Sequence, residues 1–106
     1  MSVNKSIELK EFMVDIDLES NFSLDFVSRL PYQQKIVNQL ISEGRIDSYS
    51  FSRERGKIWI ILRAESLKDA HDIIMRFPLK DYFIFSISEI TLHQKSLFRY
   101  APITLN

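Results

Sequence analysis

At 106 residues, with 45% hydrophobic and 26% charged side chains, the chain is long enough for one globular domain with a real core and too short for two. Its formal net charge of zero excludes a global field that would draw in nucleic acid or an anionic membrane surface, and leaves little electrostatic resistance to self-association. The absence of cysteine excludes disulfides, thiolate catalysis and cysteine-based zinc sites.

Residues 1–9 read as an N-terminal extension. They contain no apolar core of signal-peptide length, and nothing later approaches the ~20 apolar residues of a membrane helix, so a soluble, cytoplasmic protein is expected. With only two glycines and three prolines, most of the chain should be regular structure. The alternation in 10–18 predicts a strand, with Phe12, Val14, Ile16 and Leu18 on one face and Glu11, Met13, Asp15 and Asp17 on the other. Helical spacing then runs over 24–43. Phe26, Val27 and Leu30 form one apolar cluster and Ile36, Val37, Leu40 and Ile41 a second, with Pro31 between them as a kink or restart. Gly44 is a helix stop.

Two strands follow, at 45–53 and 57–64, joined by a hairpin at Glu54-Arg55-Gly56. Simple alternation puts Tyr49, Phe51 and Arg53 on one face of the first, opposite Ile46, Ser48, Ser50 and Ser52. The second, with Ile58-Trp59-Ile60-Ile61-Leu62, is apolar on both faces and asks for cover on both. Ser66, with Asp69 three residues on, opens a second helix in a capping-box pattern. Its expected buried stripe is Leu67, Ala70, Ile73, Ile74 and Phe77, and Pro78 ends it. A last strand spans 82–91, and 94–106 form a C-terminal tail whose Leu97, Phe98, Tyr100 and Ile103 suggest docking on this subunit or a neighbouring one.

The order β-α-β-β-α-β predicts a ferredoxin-like α+β sandwich over residues 10–93, a four-stranded antiparallel sheet with two helices on one face. The second sheet face, carrying positions such as Met13, Ile58 or Phe85, is too apolar to leave in water, so pairing into a dimeric α+β barrel is expected.

Ser66, Ala70-His71-Asp72, Met75, Pro78-Leu79, Tyr82 and His93, together with Gln39-Leu40 and Glu43-Gly44, resemble the muconolactone isomerase family. That resemblance implies a dimeric barrel able to build larger rings, cofactor-free proton transfer within a small unsaturated lactone or acid, and a place in aromatic-compound degradation. Isomerases of this family carry an acidic cluster in the middle of the first helix, whereas the matching stretch here reads Leu30-Pro31-Tyr32-Gln33-Gln34-Lys35.

His71 is the candidate catalytic base, since an imidazole titrates near neutrality; a solvated helix-surface histidine is the plainer alternative. Tyr32, Gln33 and Gln34 after the proline are candidates to line a helix–sheet cleft, or are ordinary surface residues. Tyr49, Arg53 and Trp59 are candidates to bind a ligand together, Arg53 through a carboxylate and the rings as apolar walls; core aromatics and an exposed hairpin arginine are the alternative. His93 is a weaker candidate, expected to cap a loop or fill an interface. Two histidines without a carboxylate at ligand spacing call for no metal, and neither sits in an axial-ligand setting for heme. The expected functions are therefore a cofactor-free isomerase, or a non-catalytic oligomeric module that binds a small organic molecule.

Overall fold

The computed structural model describes residues 8–19 and 22–94. The expected tail beyond Gln94 and most of the N-terminal extension lie outside the described residues. The observed order is β1 (Lys10–Leu18), α1 (Leu24–Ser42), β2 (Ile46–Ser52), β3 (Lys57–Ala64), α2 (Leu67–Ile74), a short 3-10 turn (Lys80–Tyr82) and β4 (Phe83–Glu89). The strands form one antiparallel sheet in the order β2-β3-β1-β4. This is the ferredoxin-like α+β arrangement, with β1 and β3 central, α1 packed against β2, and α2 against β3 and β4.

The period-2 pattern determines which sheet face the helices cover. Phe12, Val14, Ile16 and Leu18 of β1 meet Ile58, Ile60, Leu62 and Ala64 of β3 in the core, and Phe83, Phe85 and Ile87 of β4 pack against them. Ile58 is 1% exposed, and Phe85 is half-buried on the same side. Neither therefore belongs to the uncovered face on which the sequence pattern had put them. That face instead carries Met13, Trp59, Ile61 and Ile84, bordered by Ser48, Ser50 and Ser52 of β2 and by Ser86 and Ser88 of β4.

Strand β2 departs from simple alternation. Ile46 pairs with Leu62 while Ser48 pairs with Ile61, so Asp47 is an extra residue in the ladder. The bulge returns Ile46 to the face of Tyr49 and Phe51, where it is buried, rather than to the serine face. The Asp47 carboxylate sits 2.6 Å from the Arg63 guanidinium on β3, which also reaches the Gly44 carbonyl.

Helix α1 begins at Ser23, whose Oγ accepts the Phe26 N–H at 3.1 Å, and continues through Pro31 without a second start. It ends in a Schellman motif. The Arg45 N–H donates to the Leu40 carbonyl and the Gly44 N–H to that of Ile41, with Gly44 at φ 77°, in the left-handed region glycine tolerates. In α2, Ser66 Oγ accepts the Asp69 N–H, but the Asp69 carboxylate accepts from Glu65 N–H and pairs with Arg45 at 2.6 Å. The reciprocal half of the capping box thus reaches one residue further back than the sequence pattern implies.

Ala70, Ile73 and Ile74 are buried as expected, whereas Leu67 is 57% exposed because it sits at the first helical position, before the stripe turns inward. Helix α2 also stops at Ile74, three residues short of Pro78. Proline disfavours helical geometry in the residue before it, and Arg76 and Phe77 make tighter bonds back to Ile73 and Ile74.

Candidate functional site

A groove runs between α1 and the edge strand β2, and its construction begins with the spacing of α1. Phe26, Leu30, Gln33, Val37 and Leu40 recur at intervals of four and three and point toward the sheet. Val27, Gln34 and Ile41, seven residues apart, form a second row beside that stripe and remain exposed. The sheet is too narrow to cover both rows. Tyr49 and Phe51 rise from β2 opposite them, since alternate strand residues share a face.

Two cavities result, of about 420 and about 480 Å3, and Leu30 and Phe51 wall both of them. The first is continued by Gln33, Gln34, Val37 and Tyr49, the second by Phe22, Phe26, Val27 and Arg53. Both volumes are in the range of small-molecule sites.

Gln33 is the polar centre of this region. It is 3% exposed, yet it occupies a core position of the helix. Its Nε2 donates to the Tyr49 hydroxyl and its Oε1 accepts the Leu79 N–H, both at 3.2 Å. One amide thus ties α1 to β2 and to the segment after Pro78. Burial pushes the Tyr49 phenol above its ordinary value, against the opposing hydrogen bond from Gln33, so the ring stays protonated at neutral pH. With its oxygen accepting from Gln33, the hydroxyl keeps its own proton to donate.

The segment from Pro78 to Tyr82 is held to α1 a second time. Arg29 donates to the Pro78 carbonyl at 2.9 Å and pairs with Asp81 and Asp25, while the Tyr82 hydroxyl donates to Asp25 at 2.6 Å. The Tyr82 hydrogen bond, reinforced by Arg29, holds the Asp25 carboxyl below its ordinary range, and the bond to Asp81 is the main reason the Arg29 pKa is raised. Across the sheet, Asp15 and then Asp17 raise the Lys57 pKa from 2.7 and 3.0 Å.

Of the candidate residues, Gln33 and Tyr49 are hydrogen-bonded at the first cavity, Gln34 lines it, and Arg53 lines the second. Trp59 does not join them. It pairs with Ser50 whereas Tyr49 pairs with Ile60, and directly paired residues share a face, so Trp59 lies on the opposite side of the sheet. Tyr32 is 65% exposed and lines neither cavity. His71 is exposed on α2, with its ring centroid 5.9 Å from that of Phe85, and neighbouring Asp72 is engaged by Lys68. His93 is exposed beyond β4. Neither histidine reaches the groove.

Phe22 and Phe51 wall the groove as well, a role the sequence pattern does not predict. The readable signal is Val27 and Ile41, apolar residues beside the buried stripe that make the apolar arc of α1 wider than one stripe needs. Among the described residues, no carboxylate or imidazole lines either cavity, and no group of three His, Asp or Glu side chains is placed to hold a metal ion. Among the described residues, the only charge on the groove walls is Arg53. As lined, the groove offers apolar contact and hydrogen bonds. Its described lining includes no imidazole or carboxylate to exchange a proton near neutrality. No helix among the described residues is long and apolar enough to cross a membrane.

No known family model matches this sequence, and no curated protein matches it. The class of the molecule thus rests on its own architecture, a ferredoxin-like α+β domain with a helix–sheet groove.

Proposed function

We propose that this chain is a non-catalytic small-molecule-binding module of the dimeric α+β barrel class, with its ligand in the α1–β2 groove. The observation that carries this reading is two adjoining apolar cavities that share Leu30 and Phe51 and hold the Tyr49 hydroxyl but, among the described residues, no acid or base suited to catalysis near neutral pH. Pairing of two copies through the uncovered sheet face completes the module. Met13, Trp59, Ile61 and Ile84 supply its apolar surface, and the bordering serines are small enough for a second sheet to approach.

Titration with a neutral apolar dye such as Nile red tests the groove. Saturable binding by the wild type, lost in Val27→Glu, is the expected result; Val27 is exposed at the wall, so the variant should still fold. No saturable binding, or unchanged binding by the variant, refutes the reading. For the assembly, light scattering should give a dimer for wild type and a monomer for Trp59→Glu, and a monomeric wild type ends that part of the proposal.

The cofactor-free lactone isomerase is the second reading, favoured by the resemblance across Ser66 to His93. It requires His71 to meet substrate where a neighbouring subunit covers it, since its own subunit leaves it exposed. Proton exchange on an unsaturated lactone, present in wild type and lost in His71→Ala, would support this reading over the first. Absence of exchange in the wild type ends it.

A further inference from the structure

We propose that the groove ligand is an apolar monocarboxylate whose carboxylate is held by Arg53; this inference rests on the groove-binding reading above. The charge pattern of the walls carries it. Arg53 opens the turn after β2, where the Gly56 N–H returns to its carbonyl at 3.2 Å, and its side chain borders the second cavity beside Phe22, Phe26 and Val27. Among the described residues its guanidinium has no ion-pair or hydrogen-bond partner, unlike Arg29, Arg45 and Arg63, each of which is paired with a carboxylate. An unpaired guanidinium at one end of an otherwise uncharged apolar groove complements a single negative charge at one end of an apolar body. A dicarboxylate with its second carboxylate at the far end of the body would leave that charge against Leu30 and Phe51, where no charged wall residue compensates it among the described residues.

The groove also sets the size of the body. From Val27 to Ile41 the helix rises roughly 20 Å at ~1.5 Å per residue, so a chain of several methylenes is accommodated before the walls end. Lengthening the chain should tighten binding by ~4-fold per methylene until the groove is filled.

Calorimetric titration of the full chain with butyrate, octanoate and octan-1-ol, in wild type, Arg53→Gln and Arg53→Lys, tests the assignment, with Nile red as the independent probe of the groove. Arg53 is exposed in a turn, so both variants should fold. The expected result is octanoate binding about 10-fold more tightly than octan-1-ol in wild type, a preference abolished in Arg53→Gln, largely kept in Arg53→Lys, and weakened by added salt. Butyrate should bind far more weakly than octanoate.

Equal affinity of wild type for the acid and the alcohol, or an acid preference that survives Arg53→Gln, overturns the carboxylate anchor while leaving groove binding intact. Dye binding without binding of either eight-carbon ligand overturns it in the same way. Failure of the dye and of both ligands removes the groove-binding reading itself.

Discussion

Replacing Gln33 with alanine is the sharpest test of how the groove is built. The side chain is 3% exposed and makes two hydrogen bonds at 3.2 Å, one donated to Tyr49 and one accepted from the Leu79 N–H. Leu79 is itself 1% exposed, so its N–H becomes a buried donor with no partner. An orphaned buried donor costs ~1–3 kcal/mol. The truncated side chain also leaves space between α1 and β2 that the surrounding core can only partly refill. The Tyr49 hydroxyl borders the cavity and can turn to water, so its loss adds little. Together these give a destabilisation of about 3 kcal/mol, a large fraction of the ~5–15 kcal/mol typical of such domains.

Urea denaturation followed by circular dichroism measures the change. Gln34→Ala serves as the control, because Gln34 is exposed and its side chain bonds Asn38 on the same helix; it should stay within about 0.5 kcal/mol of wild type. If Gln33→Ala also stays within that range at unchanged slope, the amide is not the tie between helix, edge strand and the Pro78 segment.

Two further outcomes follow from local geometry. Asp25 is held below its ordinary pKa chiefly by the Tyr82 hydroxyl, so its contribution to stability is present above the unfolded-state value and disappears as pH falls through the lower folded value. In Tyr82→Phe, NMR titration should show the Asp25 carboxyl moving up toward its ordinary value, and acid unfolding should begin at higher pH; an unmoved titration would refute this. Gly44→Ala should destabilise by about 1 kcal/mol by thermal unfolding, since among the described residues no atom beyond Gly44 and its chain neighbours lies within 4 Å of the added carbon, and the φ of 77° is what resists it. Gly44→Asn should cost less, and equal losses for both would point to a cause other than backbone conformation.

The uncovered sheet face is the surface on which the proposed pairing of two copies depends. Its apolar centre is narrower than the run Ile58-Trp59-Ile60-Ile61-Leu62 suggests, because alternation sends Ile58, Ile60 and Leu62 under the helices and leaves Trp59 and Ile61 outside. Lys57, between Asp15 and Asp17, adds a charged corner to the same face. An interface there would be apolar along its middle and ionic at one edge, so its stability should depend more on Trp59 than on ionic strength.

The order of elements, the caps at Ser66 and Gly44, and the inward face of β1 were legible in the chain, because period, capping chemistry and glycine conformation act within a few residues; β3, apolar at every position from Ile58 to Leu62, did not reveal which face turns inward. Gln33, Tyr49 and Arg53 were also legible as candidates from residue type. What alternation misassigned was everything depending on pairing across strands. The extra residue at Asp47 inverted Ile46, and the hairpin register separated Trp59 from Tyr49. Only the tertiary structure determined that Gln33 lies buried between Tyr49 and Leu79, that His71 stands clear of the groove, and that the Val27 row is left uncovered. Local sequence sets which backbone conformation each segment prefers, whereas register and burial depend on partners dozens of residues away, whose positions are set by packing the whole sheet against both helices.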